Sequence, residues 1–302
     1  MWSLFLFAWL LDPGGGHWRE LAPGVRYMER DFRRGAEGPF RLFALEIDPA
    51  HPAVNLLPVR ALNAATGRET TSAMARRLGA VSAVNGGYFK PDGAAAGVFV
   101  WNGKVLGEGA GRTALLFCRE RDDVERLEFD VVAAKSGKWN RAGRGCKATD
   151  ITGAGPSLIK AGKAAPAAEG LAHEIPRHPR TAVARTSEGR YLFVVVDGRQ
   201  PASAGMTLAE LASELSSMGA VEALNLDGGG STTLVAGGQV RNNPSDGKER
   251  PVGDAILVFS VASREQLDAL EIATRTAPKW ARKRLLDEAR RGLRTLERRA
   301  GR

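Results

Sequence analysis

Cysteine is scarce: Cys118 and Cys146 are the only two in 302 residues, and no CxxC spacing exists. A zinc ribbon and a thioredoxin-like redox motif are thereby excluded. The two would pair in an oxidising compartment and otherwise stay as buried thiols. The four histidines, His17, His51, His173 and His178, never stand at metal-ligand spacing. A P-loop is absent, because "GAGPSLIKAGK" (153–163) lacks the GxxxxGK[ST] spacing. Ser231 sits in G-G-S-T-T, so the nucleophile elbow G-x-S-x-G is broken at Thr233. Long apolar runs are missing too. The stretch from Leu4 to Leu11 is too short to span a bilayer, and nothing else approaches that length. It resembles the apolar part of a secretory leader, yet no Lys or Arg precedes it and no A-x-A site follows. A leader and a packed N-terminal strand both fit. Internal repeats and low-complexity segments are absent.

The composition is that of ordinary globular material, with 43% hydrophobic and 25% charged residues. Glycine is abundant at 36 residues, which suits a turn-rich β-containing protein better than a helical bundle. The formal charge of +9 is uneven: residues 263–302 hold 12 Arg/Lys and 6 Asp/Glu, so this tail carries +6 and the rest +3. The basic character is therefore largely a property of the tail and says little about the ligand of the body.

From residue 23 to 262 short apolar strands alternate with glycine turns. "RLFALEID" (41–48) and "AVNLLPVRA" (53–61) alternate as strands do. "SAMARRL" (72–78), after Thr70 and Thr71, predicts a short helix closed by Gly79, followed by a strand at 80–84. "VFVWNGKVL" (98–106) carries Asn102-Gly103 between apolar arms, a strong hairpin signal. A second hairpin is predicted over 181–198 around Glu188-Gly189. The clearest helix is 207–218: Thr207 and Glu210 form a capping box, Leu208, Leu211, Leu215 and Met218 make a stripe, and Gly219 closes it. A strand at 220–227 and a last core strand at 254–261 follow. In the tail, Pro278 starts a helix whose apolar positions Leu286, Ala289, Leu293, Leu296 and Ala300 oppose a basic face. That face suits an anionic surface; a solvated appendage on the body is the plainer reading. These patterns predict a sheet-rich α+β fold: one catalytic domain at 23–262 with a few helices packed on mixed or antiparallel sheet. Residues 1–22 form a leader or extension, and 263–302 a basic helical tail that should be removable.

Four places join polar function to permissive backbone: Asn85-Gly86-Gly87-Tyr88, His178-Pro179-Arg180-Thr181, Asp197-Gly198-Arg199, and Asp227-Gly228-Gly229-Gly230-Ser231-Thr232. Three of them lie where an apolar strand runs out, and such ends place active groups on rigid supports. Each alone is ordinary turn chemistry. Their recurrence points to a shared polar pocket, because Asp and Asn at the ends of buried strands need partners. His178 is the one histidine beside these places, and a lone histidine there is more often structural. The remaining functional groups are the carboxylates Asp197 and Asp227 with Arg180, Arg199 and Arg250. Paired carboxylates are parts of glycosidic bond cleavage. Arginines and glycine-rich backbone N–H groups are parts of phosphate binding.

In this order the stretches "VNGGYF" (84–89), "GAGPSLIKAGK" (153–163), "HPRTAVA" (178–184), "VVVDGRQ" (195–201), "TLAELASELSSMGAVEALNLDGGGSTTLV" (207–235) and "ERPVGDAILV" (249–258) resemble the phosphodiester glycosidase family. The resemblance covers about residues 80 to 260 and stops before the tail. It implies hydrolysis of a sugar-1-phosphodiester of the N-acetylhexosamine or exopolysaccharide type, and an extracytoplasmic place, periplasmic or secreted. Chemistry then assigns Asp197 and Asp227 as catalytic. Asn85, Gly86, Tyr88, Arg180, Thr181, Arg199, Gly228, Gly229, Gly230, Ser231, Thr232 and Arg250 are assigned to substrate. Asp197 beside Arg199 is expected to be held ionised, and the bare glycines to offer N–H groups to phosphate or sugar oxygens. No cofactor is required; a divalent cation, Ca or Mg, is compatible. The expected partner is a phosphorylated sugar or polysaccharide, nucleic acid is disfavoured, and a membrane surface could meet the basic tail. Two rivals stay open: a metal-assisted phosphodiesterase using Asp197, Asp227 and Asn85, and a non-catalytic phosphoglycan-binding module.

Overall fold

The computed structural model describes residues 16–108, 112–119, 125–132, 147–165 and 176–301. The apolar run at 4–11, His173 and Cys146 lie outside these residues, and with Cys146 the cysteine pairing.

Three sheets carry the fold, and every pairing among the described strands is antiparallel. The largest has β1 (Arg19–Ala22), β2 (Val25–Arg34) and β3 (Glu37–Ile47) at one edge. Its centre is β14 (Tyr191–Val196), β13 (Arg180–Thr186) and β15 (Ala220–Asn225), and β11 (Ser157–Lys160) and β12 (Lys163–Ala164) close the far edge. The order is β1-β2-β3-β14-β13-β15-β11-β12. The second sheet runs β17 (Gln239–Val240), β16 (Leu234–Ala236), β5 (Ser82–Asn85), β18 (Asp254–Ser260), β4 (Val54–Arg60). A third runs β7 (Lys104–Gly107), β6 (Phe99–Trp101), β10 (Lys147–Gly153), β8 (Arg112–Arg119), β9 (Glu125–Val132).

The first two sheets face each other. Phe43, Leu45, Val183, Phe193 and Leu224 from one meet Leu56, Val84, Leu234 and Ile256 from the other in a single buried cluster. Each sheet's outer face is covered by helix. On the large sheet, Met28, Leu42, Ala182, Val194 and Val196 pack under α2 (Leu208–Ser217), which buries Leu208, Leu211 and Leu215 as its stripe predicts. Its capping box is formed in full: Thr207 accepts from the Glu210 N–H and Glu210 accepts from the Thr207 N–H. On the second sheet lie α1 (Thr71–Leu78), α3 (Arg264–Ala273) and α4 (Lys279–Ala300). The chain therefore stacks helix, sheet, sheet and helix, an α+β arrangement in which each apolar face finds a partner. No helix among the described residues is long and apolar enough to cross a membrane.

Thr70 caps α1, and Gly79 ends it in the left-handed conformation with φ 71°. The Asn102-Gly103 hairpin joins β6 to β7, and Glu188-Gly189 joins β13 to β14. One expectation changes. The residues beyond Ala262 are not an appendage, because Leu267, Leu270, Leu285, Leu286 and Leu293 join Leu57, Ala83 and Leu257 in one core. Five buried leucines, at roughly 1.5–3 kcal/mol each, match the whole stability of about 5–15 kcal/mol that a domain commands. A chain ending at Ala262 should fail to fold, as circular dichroism of the purified truncation would reveal.

Candidate active site at the strand ends

Strand pairing brings the singled-out stretches to one end of both sheets. Arg180 opens β13 opposite Val196, the last residue of β14, so Asp197 follows at the same end. Asn225 closes β15 opposite Ala182, and Asp227 lies two residues beyond. In the second sheet Asn85 closes β5 opposite Ala255, next to Asp254 at the start of β18.

Asn85 joins the two sheets. Fully buried, it accepts at Oδ1 from Thr181 Oγ1 at 2.8 Å and from the Thr233 N–H at 3.0 Å. Its Nδ2 donates to the Asp227 carbonyl at 2.7 Å, and the Asp227 N–H donates to the Gly86 carbonyl at 3.1 Å. Both Asn85 and Thr181 were expected to meet substrate; here their polar groups hold the Asp227 turn in place. Tyr88 likewise donates to the Gly155 carbonyl at 2.9 Å and accepts from Asn225 Nδ2 at 3.0 Å.

The three glycines after Asp227 serve packing. Gly228 and Gly229 donate their N–H groups to Asp227 Oδ1 and to the Pro179 carbonyl, at 3.0 and 2.9 Å. Those two are thus spent within the protein, contrary to the expectation that they face a ligand. A methyl group on Gly228 would sit 2.8 Å from the Pro179 carbonyl oxygen, and one on Gly230 would overlap the guanidinium of Arg250. Gly229 needs φ 62° and lies under the guanidinium of Arg199. The run is bare because two arginines and a neighbouring strand crowd it. Arg199 itself holds φ 60°, a conformation that costs a non-glycine residue about 1 kcal/mol or more and accompanies functional sites. Its Nη2 lies 3.1 Å from His178 Nδ1. Arg250 pairs with Asp246 at 2.7 Å.

The two expected catalytic carboxylates live differently. Asp227 is partly open, and burial pushes its pKa up to about 6 against the opposing pull of the Ser231 hydroxyl, the Gly228 N–H and Arg250. Asp197 is 1% exposed, and both its oxygens accept the Asn243 N–H at 3.0 Å while Asn242 Nδ2 donates to Oδ1 at 3.2 Å. Burial raises its pKa as well. The expectation that Arg199 would hold Asp197 ionised fails, because Arg199 turns the other way, toward His178 and Gly229. Arg180 is 3% exposed and donates to the Met206 and Pro176 carbonyls at 2.7 and 3.0 Å. Burial lowers its pKa to about 10, with Tyr88 raising it and Arg199 lowering it further.

Sequence reasoning missed Asp254. It lies behind Gly86, where a methyl group would overlap Oδ2, and it accepts the Gly87 N–H at 3.2 Å. Burial pushes its pKa up to about 7; Arg60, 3.8 Å away, lowers it and the neighbouring Asp227 charge raises it. The charge of Asp227 thus bears on the titration of Asp254. Asn242 and Asn243 were missed too. Asn242 also donates to the Thr232 carbonyl at 3.0 Å and accepts the Leu234 N–H at 2.8 Å, tying Asp197 to the far side of the glycine turn. Thr232 Oγ1 and Asn225 Oδ1 are among the buried polar atoms of this region with no hydrogen-bond partner among the described residues. Among those residues no group of three or more His, Cys, Asp or Glu could hold a metal ion. The oxygens of Asn85 and Asp197 are occupied by protein donors.

Carboxylates thus stand at the rim of antiparallel sheets, with arginines facing a glycine turn, on an α+β scaffold. The model of the family described as Phosphodiester glycosidase matches residues 78–259, more than half of the chain, and the chain belongs to that family. It is 30% identical over 203 residues to the SPbeta prophage-derived uncharacterized protein YomE of Bacillus subtilis, covering 64% of this chain and 30% of that one. It is 43% identical over 67 residues to N-acetylglucosamine-1-phosphodiester alpha-N-acetylglucosaminidase of Mus musculus, 22% of this chain and 13% of that enzyme. The chain thus spans less than a third of the length of these curated relatives. The catalytic domain of the zebrafish enzyme of the same name, auto-inhibited by its pro-peptide, matches with a TM-score of 0.63 at 20% identity, over 80% of this chain and 85% of that one. That likeness shows the fold.

Proposed function

We propose that the protein hydrolyses the C1–O bond of a sugar-1-phosphodiester, with Asp227 as general base. The observation that carries this reading is Asp227 itself: a partly open carboxylate raised to about 6, at a turn packed under Arg199 and Arg250. A base with a pKa just below neutrality is ionised at pH 7 yet still strong enough to take a proton. Water attacks C1 and gives a proton to Asp227 as the C1–O bond breaks, and the electron pair leaves with the phosphate monoester. Such a leaving group needs little protonation, but its charge must be held, which is work for Arg199 and Arg250. Asp254 lies behind Gly86, and Asn85, Thr181, Tyr88 and Arg180 hold the turn and strand ends. Family membership and the sugar phosphodiester named for the mouse and zebrafish relatives support the substrate class. An N-acetylhexosamine or exopolysaccharide substrate and an extracytoplasmic place accord with it.

Turnover of a sugar-1-phosphodiester in oxygen-18 water tests the reading. Label in the sugar is the expected result. Label in the phosphate would mean P–O cleavage, and binding without turnover would mean a phosphoglycan-binding module.

A further inference from the structure

A cleft of about 490 Å³ lies at the opposite end of the second sheet from Asp227, between the C-terminal half of α4 and the loop joining β3 to β4. Val54 at the start of β4 lines it, whereas Arg60 at the end of β4 stands beside Asp254. Six residue steps along a strand put the two places at least about 20 Å apart. The cleft is lined by His51, Asn55, Arg291, Arg294, Arg298 and Arg299, and its one acidic residue, Glu288, is paired with Arg284. His51 accepts the Ala53 N–H at Nδ1, which leaves Nε2 as a further donor. The cleft is built rather than incidental. Gly292 interrupts α4 where any side chain would overlap the Pro52 carbonyl, so the helix lies directly on the loop. An interior helix glycine costs about 1 kcal/mol relative to alanine, and here it permits that contact.

We infer that this cleft binds a remote stretch of a phosphate-bearing glycan chain whose end is processed at Asp227; the inference rests on the function proposed above. The wall chemistry is arginine, whose planar fork matches phosphate oxygens two at a time. The arginines lie along one helix, at 291, 294, 298 and 299, a spacing that suits successive phosphates of a chain. Other anionic partners fit less well. The apolar stripe of α4 is consumed by the core, so the helix has no face to insert into a bilayer. The aromatic side chain of α4, Trp280, packs edge-on against Trp101 at 4.9 Å, so α4 presents no aromatic platform for nucleic-acid bases. A bound chain would also explain why the helix carries nine Lys/Arg against three Asp/Glu.

The test compares the full chain with a variant carrying Arg294→Glu, Arg298→Glu and Arg299→Glu, and with the milder Arg294→Gln, Arg299→Gln pair in case charge reversal unfolds the helix end. Binding is measured by titration with a soluble phosphodiester-linked N-acetylhexosamine polymer, with phosphatidylglycerol vesicles and with a DNA duplex. Turnover is measured on a small chromogenic sugar-1-phosphodiester. The expected result is polymer affinity lower by roughly tenfold or more in the Glu variant, a smaller loss in the Gln variant, and unchanged turnover of the small substrate. Equal polymer affinity in all three proteins overturns the inference, as does tighter binding of vesicles or DNA than of the polymer. If none of the proteins cleaves the small substrate, the proposed function fails, while the binding comparison still decides the role of the cleft.

Discussion

Asp197 and Asp227 leave strands on either side of β13, each followed by glycine. Their surroundings differ in what the oxygens meet. At Asp197 both oxygens accept N–H groups from Asn242 and Asn243, and the side chain is 1% exposed. At Asp227 one oxygen accepts its own turn's Gly228 N–H, and the side chain stays partly open beneath two arginines. Identical chemistry thus yields a fully braced carboxylate in one place and a partly open one in the other. The deciding factor is whether the loop that folds over the carboxylate brings donors or leaves space.

The largest expected effect separates the two. Asp227→Asn should lower turnover by about a hundred- to ten-thousand-fold, the usual loss for a general base, with thermal stability near that of the parent. Steady-state kinetics on folded protein, with a melting curve beside it, checks both halves. Asp197→Asn should reverse the pattern. Removing one acceptor from the two donors, Asn242 Nδ2 and the Asn243 N–H, should cost about 1–3 kcal/mol of stability, read as a lower denaturation midpoint, while turnover falls by less than about tenfold. Comparable kinetic losses in both variants would erase the distinction.

Asp254→Asn sharpens it through pH. The folded-state pKa values of Asp227 and Asp254, about 6 and about 7, lie above those of an unfolded chain. Their protonated forms are favoured by folding, so stability is greatest below about pH 4 and declines as pH rises through 6 to 7. For Asp254 the decline amounts to roughly 4 kcal/mol. Asp254→Asn should flatten the pH dependence of the melting temperature between pH 5 and 8. The smallest effect belongs to Arg199→Ala, which should lower kcat/KM for a phosphodiester about tenfold, with part of the loss in kcat, because Arg199 holds the charge that develops on the leaving phosphate.

Much of this was readable in the chain. Caps, hairpin turns and apolar periods are local, and they placed α1, α2, α4, β3, β4, β13, β14 and β18 close to where they lie. The convergence of the Asn85, Arg180, Asp197 and Asp227 stretches on one end of the sheets followed from reading acids and amides at strand exits. Asp254 escaped because it opens a strand instead of closing one, and its partners Arg60 and Gly87 are distant in sequence. Asn242 and Asn243 looked like an ordinary turn, since nothing local announces that their donors reach Asp197. The role of the glycine run was misjudged for the same reason: the crowding by Pro179, Arg199 and Arg250 is tertiary. In the third sheet β8, β9 and β10 went unread, and α3 has too few apolar positions to show a stripe.

The central claim, that ionised Asp227 does the chemistry, is tested most directly by the pH dependence of kcat/KM. The measurement compares the parent, Asp197→Asn and Asp254→Asn on one small sugar-1-phosphodiester. The account predicts a rate that rises with pH through about 6 and then levels, unchanged in position by Asp197→Asn and by Asp254→Asn, because Asp254 is still protonated where Asp227 ionises. A rate that stays flat or falls across that range, or a limb that moves with Asp197, would contradict it.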